Sequence, residues 1–486
     1  MTTGYMHGVY GREIPSELVP GRYVESNVVV ALGTAPVHTL ADIARAPVNT
    51  PVLCQSYTDF VSAFGWSDDW DTFTLCEVAS SHFAKFGAAP VVFINVFDPA
   101  RHTEAVADER AAFGEKDMVT LKHVPVSPLT VTDGTGATNY TEGTDYAVDR
   151  QSAQIRRLDG STIEKLGEVK ISYSRAAPDA VTDKDIIGGV DAKSLKKTGL
   201  ELVDEVFPRF RIVPSCLVAP KFGETPAVAI ASAAKMNTIN GLFTGIAIMD
   251  IPTSEVPSLM DVPGWKEKNS LTDPALVMTW PEAKLGECRY HLSTLLAGCI
   301  SATDADEGGT PCASPSNKRL YMDRAVVRRK DGSDEEVWFD LTANNYLNAQ
   351  GIVTANNFDG GWKSWGNRTA CYPGNTDPKD AFIAVRRFFN WYKASFILTY
   401  FSKVDAPLRR RLITTIVKSE QHRLDGLTAQ EKINGGRIVF LDAENPTTDI
   451  IDGILRFHLY IAPPVPARAI EGVFEFDAAY VSNLFK

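Results

Sequence analysis

The sequence predicts an α/β fold, and three observations support this class. Strand-like runs of β-branched residues, Asn27–Leu32 and Pro90–Phe97, flank a helical stretch over Asp71–Phe86. Such apolar runs mark buried strands, and the order strand, helix, strand favours a parallel βαβ unit. Short Thr/Val/Tyr-rich runs with Asp-Gly turn signals occupy residues 117–175, which predicts an all-β module inserted in a surface loop. A further amphipathic part begins after residue 355.

The first predicted helix takes Asp69 or Asp71 as its cap and ends at Gly87. Its apolar face carries four residues at helical spacing: Phe73, Cys76, Ala79 and Phe83. After the inserted module the α/β pattern returns. We expect strands at Ile212–Ala219, Phe243–Ile251 and Ala275–Trp280, helices at Thr225–Gly241 and Tyr290–Ser301, and a hairpin of Val326–Arg329 with Glu336–Asp340.

The last part of the chain predicts two helices and two strands. A long helix over Asp377–Phe401 takes Asp377 as its cap, and a second helix covers Ala406–Arg423. Strands are expected at Arg437–Leu441 and Ile454–Ile461. Charged residues within the long helix make it unsuitable as a membrane span.

Both chain ends are predicted to be extended arms. Residues 1–24 are rich in Gly and Pro, and a proline break precedes a strand-like tail near residues 464–486. A lone terminal strand exposes unpaired backbone groups and can add to a sheet edge on another molecule. We expect four side chains of the tail to fill apolar grooves of the acceptor: Val473, Phe474, Phe476 and Tyr480.

Composition excludes several classes of function. The net charge of −11 argues against general nucleic-acid binding. The seven cysteines form no C-x-x-C pair, so a zinc site has no support, and we expect a reducing compartment. No signal peptide and no uncharged apolar run of membrane-spanning length is evident, so we expect folding in the cytoplasm.

Motifs for catalysis or ligand binding are weak. No G-x-S-x-G elbow occurs, and the eight histidines lie in no hydrolase context. Gly134-Thr135-Gly136 opens no helix, so a hairpin turn is favoured over a phosphate loop. A calcium loop starting at Asp304 would need a glutamate where Pro315 stands. We therefore expect no enzyme, no cofactor and no metal.

Several segments in shared order resemble the contractile tail sheath proteins of bacteriophages. The segment Phe243–Pro252 resembles the family's strand ending in DIP, and Ala297–Arg319 resembles its AG…TD…G…SP.N segment. Leu347–Thr369 resembles its LN..GI…G…WG.RT signature, and Ala462–Ile470 resembles the start of its C-terminal arm. Arg468 departs from the acidic residue that is common there.

The resemblance implies a domain organisation. A central, subtilisin-like, doubly wound α/β domain would comprise residues 25–103 and 181–355, with an inserted β-sandwich domain at 104–180. A tube-facing α+β domain would comprise residues 356–463. Residues 1–24 and 464–486 would be the N-terminal linking arm and the C-terminal strand-donating arm. The subtilisin-like topology raises the question of a catalytic triad, which the motifs do not support.

The implied function is structural. Copies of the chain would form hexameric rings, stack into a helical sheath around the tail tube protein, and contract to drive the tube through the host envelope. Baseplate and tail terminator proteins would be further partners, without nucleic acid and without membrane insertion. The sheath would be assembled in the host cytoplasm and belong to the virion tail. A phage-tail-like bacteriocin or another contractile injection system remains the alternative, and an α/β hydrolase is a remote one.

One basic cluster is a candidate contact with the tube. Arg409, Arg410 and Arg411 lie near Lys418 and Arg423 on the helix predicted at 406–423. In resembling sheaths a helix of the C-terminal domain touches the inner tube largely by charge. A solvated helix face is the alternative.

Overall fold

The structure is a computed structural model that describes Val19, residues 21–150 and 152–477, and Tyr480. The chain divides into two compact units. Unit 1 comprises the chain up to Val24 together with Trp391–Pro464, and unit 2 comprises Glu25–Asn390 and the chain from Val465 onward. No helix within the described ranges has both the length and the apolar character needed to cross a membrane.

Unit 2 opens with the predicted strand–helix–strand order. Its first elements are β1 (Val29–Gly33), β2 (Val52–Cys54), α1 (Tyr57–Phe64), α2 (Thr74–Ala79) and β3 (Val91–Asn95). Strands β1 and β3 pair in parallel, which confirms the predicted βαβ arrangement. Helix α2 continues as a π-helical segment, Ser80–Phe86, and ends at Gly87 with a φ of +59° as predicted. It starts later than expected, because Phe73 occupies the N-cap position and neither predicted aspartate caps it.

The β-rich insert contains two sheets. Its strands are β4 (Thr103–Ala112), β5 (Met118–Thr120), β6 (Thr130–Asp133), β7 (Asn139–Tyr140), β8 (Tyr146–Asp149), β9 (Gln154–Arg157) and β10 (Glu168–Ala176). One sheet has the order β4-β10-β6-β7 and the other β5-β9-β8. Val131 of the first sheet and Ile155 of the second are fully buried in the same apolar cluster. The two ends of the insert lie next to each other, because Thr103 at the start of β4 pairs with Ala176 at the end of β10.

The remaining elements of unit 2 alternate helices and strands. They are α3 (Asp183–Ile187), β11 (Gly189–Val190), β12 (Lys197–Thr198), α4 (Val206–Phe210), β13 (Cys216–Val218), α5 (Pro226–Asn237), β14 (Ile246–Asp250), α6 (Val262–Lys268), β15 (Leu276–Thr279), β16 (Glu282–Leu285), β17 (Cys288–Tyr290), α7 (Leu292–Asp306), β18 (Arg324–Arg328), β19 (Asp334–Glu336), α8 (Leu341–Asn348), β20 (Ile352–Asn356), β21 (Lys363–Trp365), α9 (Pro378–Ala381) and α10 (Ile383–Tyr400). The last of these continues into unit 1.

The central sheet has eight strands in the order β2-β3-β1-β13-β14-β15-β20-β21. The six inner strands run parallel, and β2 and β21 are antiparallel strands at the two edges. Every residue of β1, β3 and β14 is buried, so both faces of the sheet are covered. Helices α5 and α7 both pack against β14. An antiparallel sheet of order β17-β16-β18-β19 lies elsewhere in unit 2.

Unit 1 combines helices with a small sheet. Beyond α10 it contains α11 (Arg410–Ala429), β22 (Gly435–Val439), α12 (Thr447–Ile451) and β23 (His458–Ala462). The two strands are antiparallel, with Gly435 opposite Ala462 and Val439 opposite His458. They match the two strands predicted for this part of the chain, within a few residues.

Two helix predictions in this part of the chain are wrong in their bounds. The predicted helix Asp377–Phe401 is interrupted at Phe382, which is extended (φ −100°, ψ 128°) and pairs with Arg368. Asp377 does cap, since its side chain accepts a hydrogen bond from the backbone of Lys379 at 2.9 Å. The next helix starts after Pro407 rather than at Ala406, because a residue before proline is disfavoured in the helical region.

Candidate assembly sites

Three arginines that the sequence singles out lie at the start of α11. Arg409 is the N-cap residue, and Arg410 and Arg411 begin a helix whose first turn contains no acidic residue. A helix N-terminus carries a partial positive charge, so a cation there is destabilising where an anion would contribute about 0.3–1 kcal/mol. All three arginines are exposed. Their placement therefore does not serve the stability of the helix.

A basic concave surface adjoins this helix start. It is a cavity of about 750 Å³, and its charged lining residues are all basic: Arg22, Lys403, Arg409 and Arg411. Arg410 and Lys418 are exposed as well, but they do not line this cavity. Of the four residues predicted to contact the tube, Arg409 and Arg411 thus line the concave site, and Arg410 and Lys418 lie outside it.

Arg423 does not belong to this surface, so its assignment to the basic cluster is wrong. The residue is only 6% exposed. Its guanidinium lies 4.6 Å from the ring centroid of Tyr392 and 5.1 Å from that of Tyr23, and it pairs with Glu420 at 3.3 Å. The helix buries this position because Leu424 and its neighbours on the same face form the core of unit 1.

Glu420 is the centre of a buried polar cluster beneath the N-terminal segment. Its two carboxylate oxygens accept hydrogen bonds from the hydroxyls of Tyr392 at 2.5 Å and Tyr400 at 2.9 Å. Burial, together with the adjacent carboxylate, raises the pKa of both tyrosines well above their usual range, so both hydroxyls keep their protons. Arg423 supplies the compensating positive charge.

The N-terminal segment is held on α10 by side-chain hydroxyls. The backbone N–H of Arg22 donates to Thr399 Oγ1 at 2.9 Å, and that of Val24 donates to Ser395 Oγ at 3.4 Å. Trp391 Nε1 donates a hydrogen bond to the Val24 carbonyl at 2.8 Å. Two residues of extended chain advance about 6.6 Å, and four residues of a helix advance about 6 Å. The N–H groups of every second residue in the segment are therefore spaced like hydroxyls four residues apart on the helix. Most of the predicted arm, residues 1–18, lies outside the described residues.

The C-terminal arm has a different environment. All four side chains predicted to enter a partner's grooves are largely exposed: Val473 (89%), Phe474 (97%), Phe476 (82%) and Tyr480 (75%). No described residue from 465 to 477 lies in a strand. Several large apolar groups in a row therefore stay in water in a single copy of the chain, which is typical of a binding segment.

The β22–β23 hairpin offers a matching edge. Neither strand pairs with a third strand among the described residues. A two-stranded sheet is at best marginally stable alone. On the outer edge of β22 the Gln421 side chain accepts from the Ile438 N–H and donates to the Gly436 carbonyl, so the outer edge of β23 is the one open to pairing among the described residues. It is therefore a candidate acceptor for an added strand.

Buried polar residues also gather near the carboxyl ends of the central strands, where α/β enzymes place their sites. The Ser293 hydroxyl donates a hydrogen bond to Asp250. His291 Nδ1 lies 2.8 Å from a carboxylate oxygen of Glu77. The Ser293 hydroxyl and the His291 imidazole therefore bond to different carboxylates. Burial favours the neutral imidazole, yet the Glu77 carboxylate keeps the pKa of His291 well above its usual value. Burial raises the pKa of Glu224 to about 7. No cluster of His, Cys, Asp or Glu suited to a metal ion occurs among the described residues.

The chain is similar over its whole length to a phage protein. A tail sheath protein of Burkholderia phage BcepMu is 29% identical over 498 positions, which cover 100% of this chain and 99% of that protein. A putative prophage major tail sheath protein of Pseudomonas aeruginosa is 27% identical and covers 58% of this chain and 70% of its own length.

Solved structures show the same fold. The sheath complex of an extracellular contractile injection system (PVC) in the contracted state has a TM-score of 0.58 at 13% identity, over 99% of this chain and 100% of that chain. The contracted helical sheath of the anti-feeding prophage has a TM-score of 0.56 at 15% identity, over 98% and 100%. The predicted resemblance to contractile tail sheath proteins is confirmed. The mixed α/β architecture fits these sheath structures, and the predicted function, a structural subunit of a contractile sheath, agrees with these relatives.

A second comparison singles out the insert. A family described as "Protein of unknown function UCP028589" matches residues 100–182. This range coincides within a few residues with the β-rich insert, whose strands run from Thr103 to Ala176. The insert is therefore a recognisable sequence block of its own.

Sequence reasoning missed the attachment of residues 21–24. Gly and Pro content indicated an extended arm, but the partners are hydroxyls on α10, 377 residues later in the chain for Arg22 and 371 for Val24. Ser395 and Thr399, which are small polar residues four apart on an apolar helix, were the available signal.

Proposed function

We propose that this chain is the structural subunit of a contractile sheath, polymerising as stacked hexameric rings around a tail tube. Contraction drives the tube through a host envelope. The observation that carries the mechanism is the exposed C-terminal arm, whose apolar side chains require an acceptor that another copy can supply. On this proposal the sheath is a component of the virion tail and is assembled in the host cytoplasm, with baseplate and tail terminator proteins at its ends.

The domain organisation is part of the proposal. Residues 25–103 and 181–355 form a subtilisin-like, doubly wound domain, which is supported by the parallel strands and by strand order growing in both directions from β1. Residues 104–180 form the inserted sandwich domain, and residues 356–463 form the tube-facing domain. Residues 1–24 and 464–486 are linking arms.

The arms keep neighbours joined while the domains move. The C-terminal arm adds as a strand to the β22–β23 hairpin of an adjacent copy, where backbone hydrogen bonds provide the grip and Phe474 and Phe476 enter apolar grooves. Each backbone bond contributes about 0.5–1.5 kcal/mol net, so several per arm make a durable tether.

The energy for contraction is stored at assembly. Two packings of the same rigid units that differ by about 1–2 kcal/mol per subunit give a large total when many copies are coupled. No nucleotide hydrolysis enters this scheme. A phage tail and a bacteriocin or other injection system remain equally compatible, and the presence or absence of capsid genes nearby separates them.

The tube-facing contact uses Arg409, Arg410, Arg411 and Lys418. Their exposure supports this role, as does the unfavourable position of the arginines at a helix N-terminus. Reversing Arg410, Arg411 and Lys418 to Glu is expected to abolish co-assembly with the tube protein. Intact co-assembly of this variant would overturn the assignment.

Electron microscopy of the purified chain tests the function directly. The full chain is expected to form striated hollow cylinders, and a chain that lacks residues 467–486 is expected to stay as folded single subunits. Cylinders of normal length and normal shortening from the truncated chain would contradict the arm mechanism. Circular dichroism confirms that the truncated subunits are folded.

A further inference from the structure

The C-terminal arm has two chemically different faces when it is extended. Successive side chains of a strand point to opposite sides of the sheet. One side of residues 470–477 then carries the large apolar side chains Ile470, Phe474 and Phe476. The other side carries Val473 and three acidic side chains, Glu471, Glu475 and Asp477. Residues 469–485 contain no lysine or arginine, so the second face is anionic without internal compensation by a basic residue.

The inner face of the β22–β23 hairpin is apolar and only partly covered. Helix α11 packs against β22, where a Cβ at Gly436 would lie 2.7 Å from the Leu424 side chain. Ile438, on the same side of β22, is only 4% exposed. The residues opposite these two on β23 are Leu459 and Ile461, and both are only half-buried. Apolar surface therefore remains uncovered at β23, next to the edge that is open to pairing.

The outer face of the hairpin carries a cation that extends toward the same edge. Arg437 of β22 lies opposite Tyr460 of β23. Its guanidinium lies 4.3 Å from the centroid of the Tyr460 ring, so the side chain crosses from β22 over β23. His458 stacks on the same ring at 4.3 Å, but it has Glu444 as its partner at 2.7 Å. Within the part of the chain that the structure describes, Arg437 has no carboxylate partner.

We infer that the arm of a second copy adds to β23 in one orientation only, with its apolar face toward α11 and its anionic face on the side of Arg437. Strand addition itself belongs to the proposed function, on which this orientation rests. Adjacent strands lie about 4.8 Å apart, so a strand beside β23 places outward carboxylates next to the Tyr460 ring and the guanidinium above it. Phe474 and Phe476 then cover the half-buried apolar residues of β23.

Arg437 is thus a residue that specifies the register of the arm. A slip by one residue exchanges the two faces of a strand, which would put the phenylalanines in water and the carboxylates against α11. The occupant is another copy, because residues 465–477 form no strand within their own copy and leave their apolar side chains exposed.

The test is a charge swap, scored by the lowest protein concentration at which the full chain forms cylinders in electron microscopy. The hairpin variant is Arg437→Glu, and the arm variant combines Glu471→Lys with Glu475→Lys. Each should raise this concentration roughly tenfold at low salt, because like charges then face each other across adjacent strands. A chain with all three changes should return to within about threefold of the unaltered chain, since opposite charges face each other again.

Mixing the two variants distinguishes a second copy from the chain's own arm. In an equimolar mixture each hairpin finds a matching arm only on the other variant, so the mixture should recover cylinders as the triple change does. Recovery by the triple change but not by the mixture would place the arm on its own hairpin and overturn the inference. Arg156→Glu is the matched control, because Arg156 is an exposed strand arginine of β9 without an ion pair among the described residues.

The remaining outcomes separate this orientation from the proposed function. If the hairpin and arm variants form cylinders as readily as the unaltered chain, while loss of residues 467–486 abolishes them, the orientation is wrong and the tether stands. Failure of the triple change to recover would also overturn the pairing of Arg437 with the arm. If the unaltered chain forms no cylinders, the proposed function fails and the orientation fails with it. Thermal unfolding of each variant within a few degrees of the unaltered chain confirms folding.

Discussion

Residues 21–24 and residues 465–477 are both extended segments near a chain end, but their surroundings differ. The first segment is fixed to α10 by hydrogen bonds at Arg22 and Val24 and by Tyr23, which stacks on Trp391 at 6.1 Å. The second leaves Phe474 and Phe476 almost fully in water. An extended segment is therefore not free by default. One segment has its anchor within the same unit, and the other leaves its apolar side chains uncovered.

The largest expected effect concerns the exposed segment. On the proposed arm mechanism, replacing Val473, Phe474 and Phe476 with Ser should abolish cylinder formation, because burial of each side chain in an adjacent copy would contribute about 1.5–3 kcal/mol. The midpoint of thermal unfolding of the single subunit should not change, since these side chains contact little within it. Electron microscopy and calorimetry measure the two quantities.

A matched control uses another exposed apolar residue. Leu195 is 74% exposed in a turn of unit 2, and Leu195→Ser should leave cylinders intact. A drop of several degrees in the unfolding midpoint of the triple variant would mean that the arm packs within its own subunit, which would remove the contrast between the two segments.

The second prediction concerns the support beneath the fixed segment. Glu420→Ala removes the acceptor of two tyrosine hydroxyls and leaves Arg423 buried without its carboxylate. Breaking one partner of a buried ion pair typically costs about 3–5 kcal/mol. Denaturant unfolding should show a loss of this size in unit 1, and trypsin should cleave near Arg22 faster. Glu431→Ala, an exposed change just beyond α11, is the control. A loss below about 1 kcal/mol would contradict this account.

The fold was predictable wherever local pattern and burial agree. The β-branched runs became β1 and β3, and Gly87 and Asp377 act at the helix ends as expected. The break at Phe382 was not predictable, because an apolar helical period continues through it and the pairing with Arg368 is made by tertiary structure.

The candidate sites were predictable to a smaller extent. Arg409, Arg410 and Arg411 are exposed as expected, but Arg423 shares their charge and helical spacing and is buried over aromatic rings. Arginine occurs on both the exposed and the buried face of α11, so residue spacing alone does not show which arginines are exposed. The exposed apolar side chains between α10 and α11 were likewise not predictable, since the exposure of Phe401 depends on where the two helices end.

The third prediction changes unit 2 without altering either chain end. Glu224 has a pKa of about 7 when folded, against 4.5 for the free side chain, because burial disfavours its charge. The folded state thus holds this proton more tightly than the unfolded state. The stabilisation of the folded state by this bound proton is fully present below pH 4.5, and it is lost as the pH rises through 7.

Glu224→Gln is expected to remove this loss. The variant should gain about 1–3 kcal/mol relative to the unaltered chain between pH 5 and pH 8. His291, Asp250, Glu282 and Arg328 are the charged groups that act on Glu224, and they are present in both proteins. Denaturant unfolding across this pH range measures the difference, with exposed Glu255→Gln as the control. A difference that does not vary with pH would contradict the burial of this carboxyl. Cylinder formation by the variant should be unchanged, since neither arm is touched.

The smallest effect tests the hydroxyl ladder itself. Thr399→Val keeps the shape of the side chain but removes the oxygen that accepts the Arg22 N–H. One such hydrogen bond contributes about 0.5–1.5 kcal/mol net. Hydrogen exchange at the Arg22 amide should become roughly tenfold faster, since 1.4 kcal/mol corresponds to a factor of ten. Thr414→Val is the matched control, because the Thr414 hydroxyl donates to the Arg410 carbonyl within α11 just as the Thr399 hydroxyl donates to the Ser395 carbonyl within α10. If both variants leave Arg22 equally protected, the bond to Thr399 contributes nothing measurable, and the segment is held by the two hydrogen bonds at Val24 and by the packing of Tyr23 on Trp391.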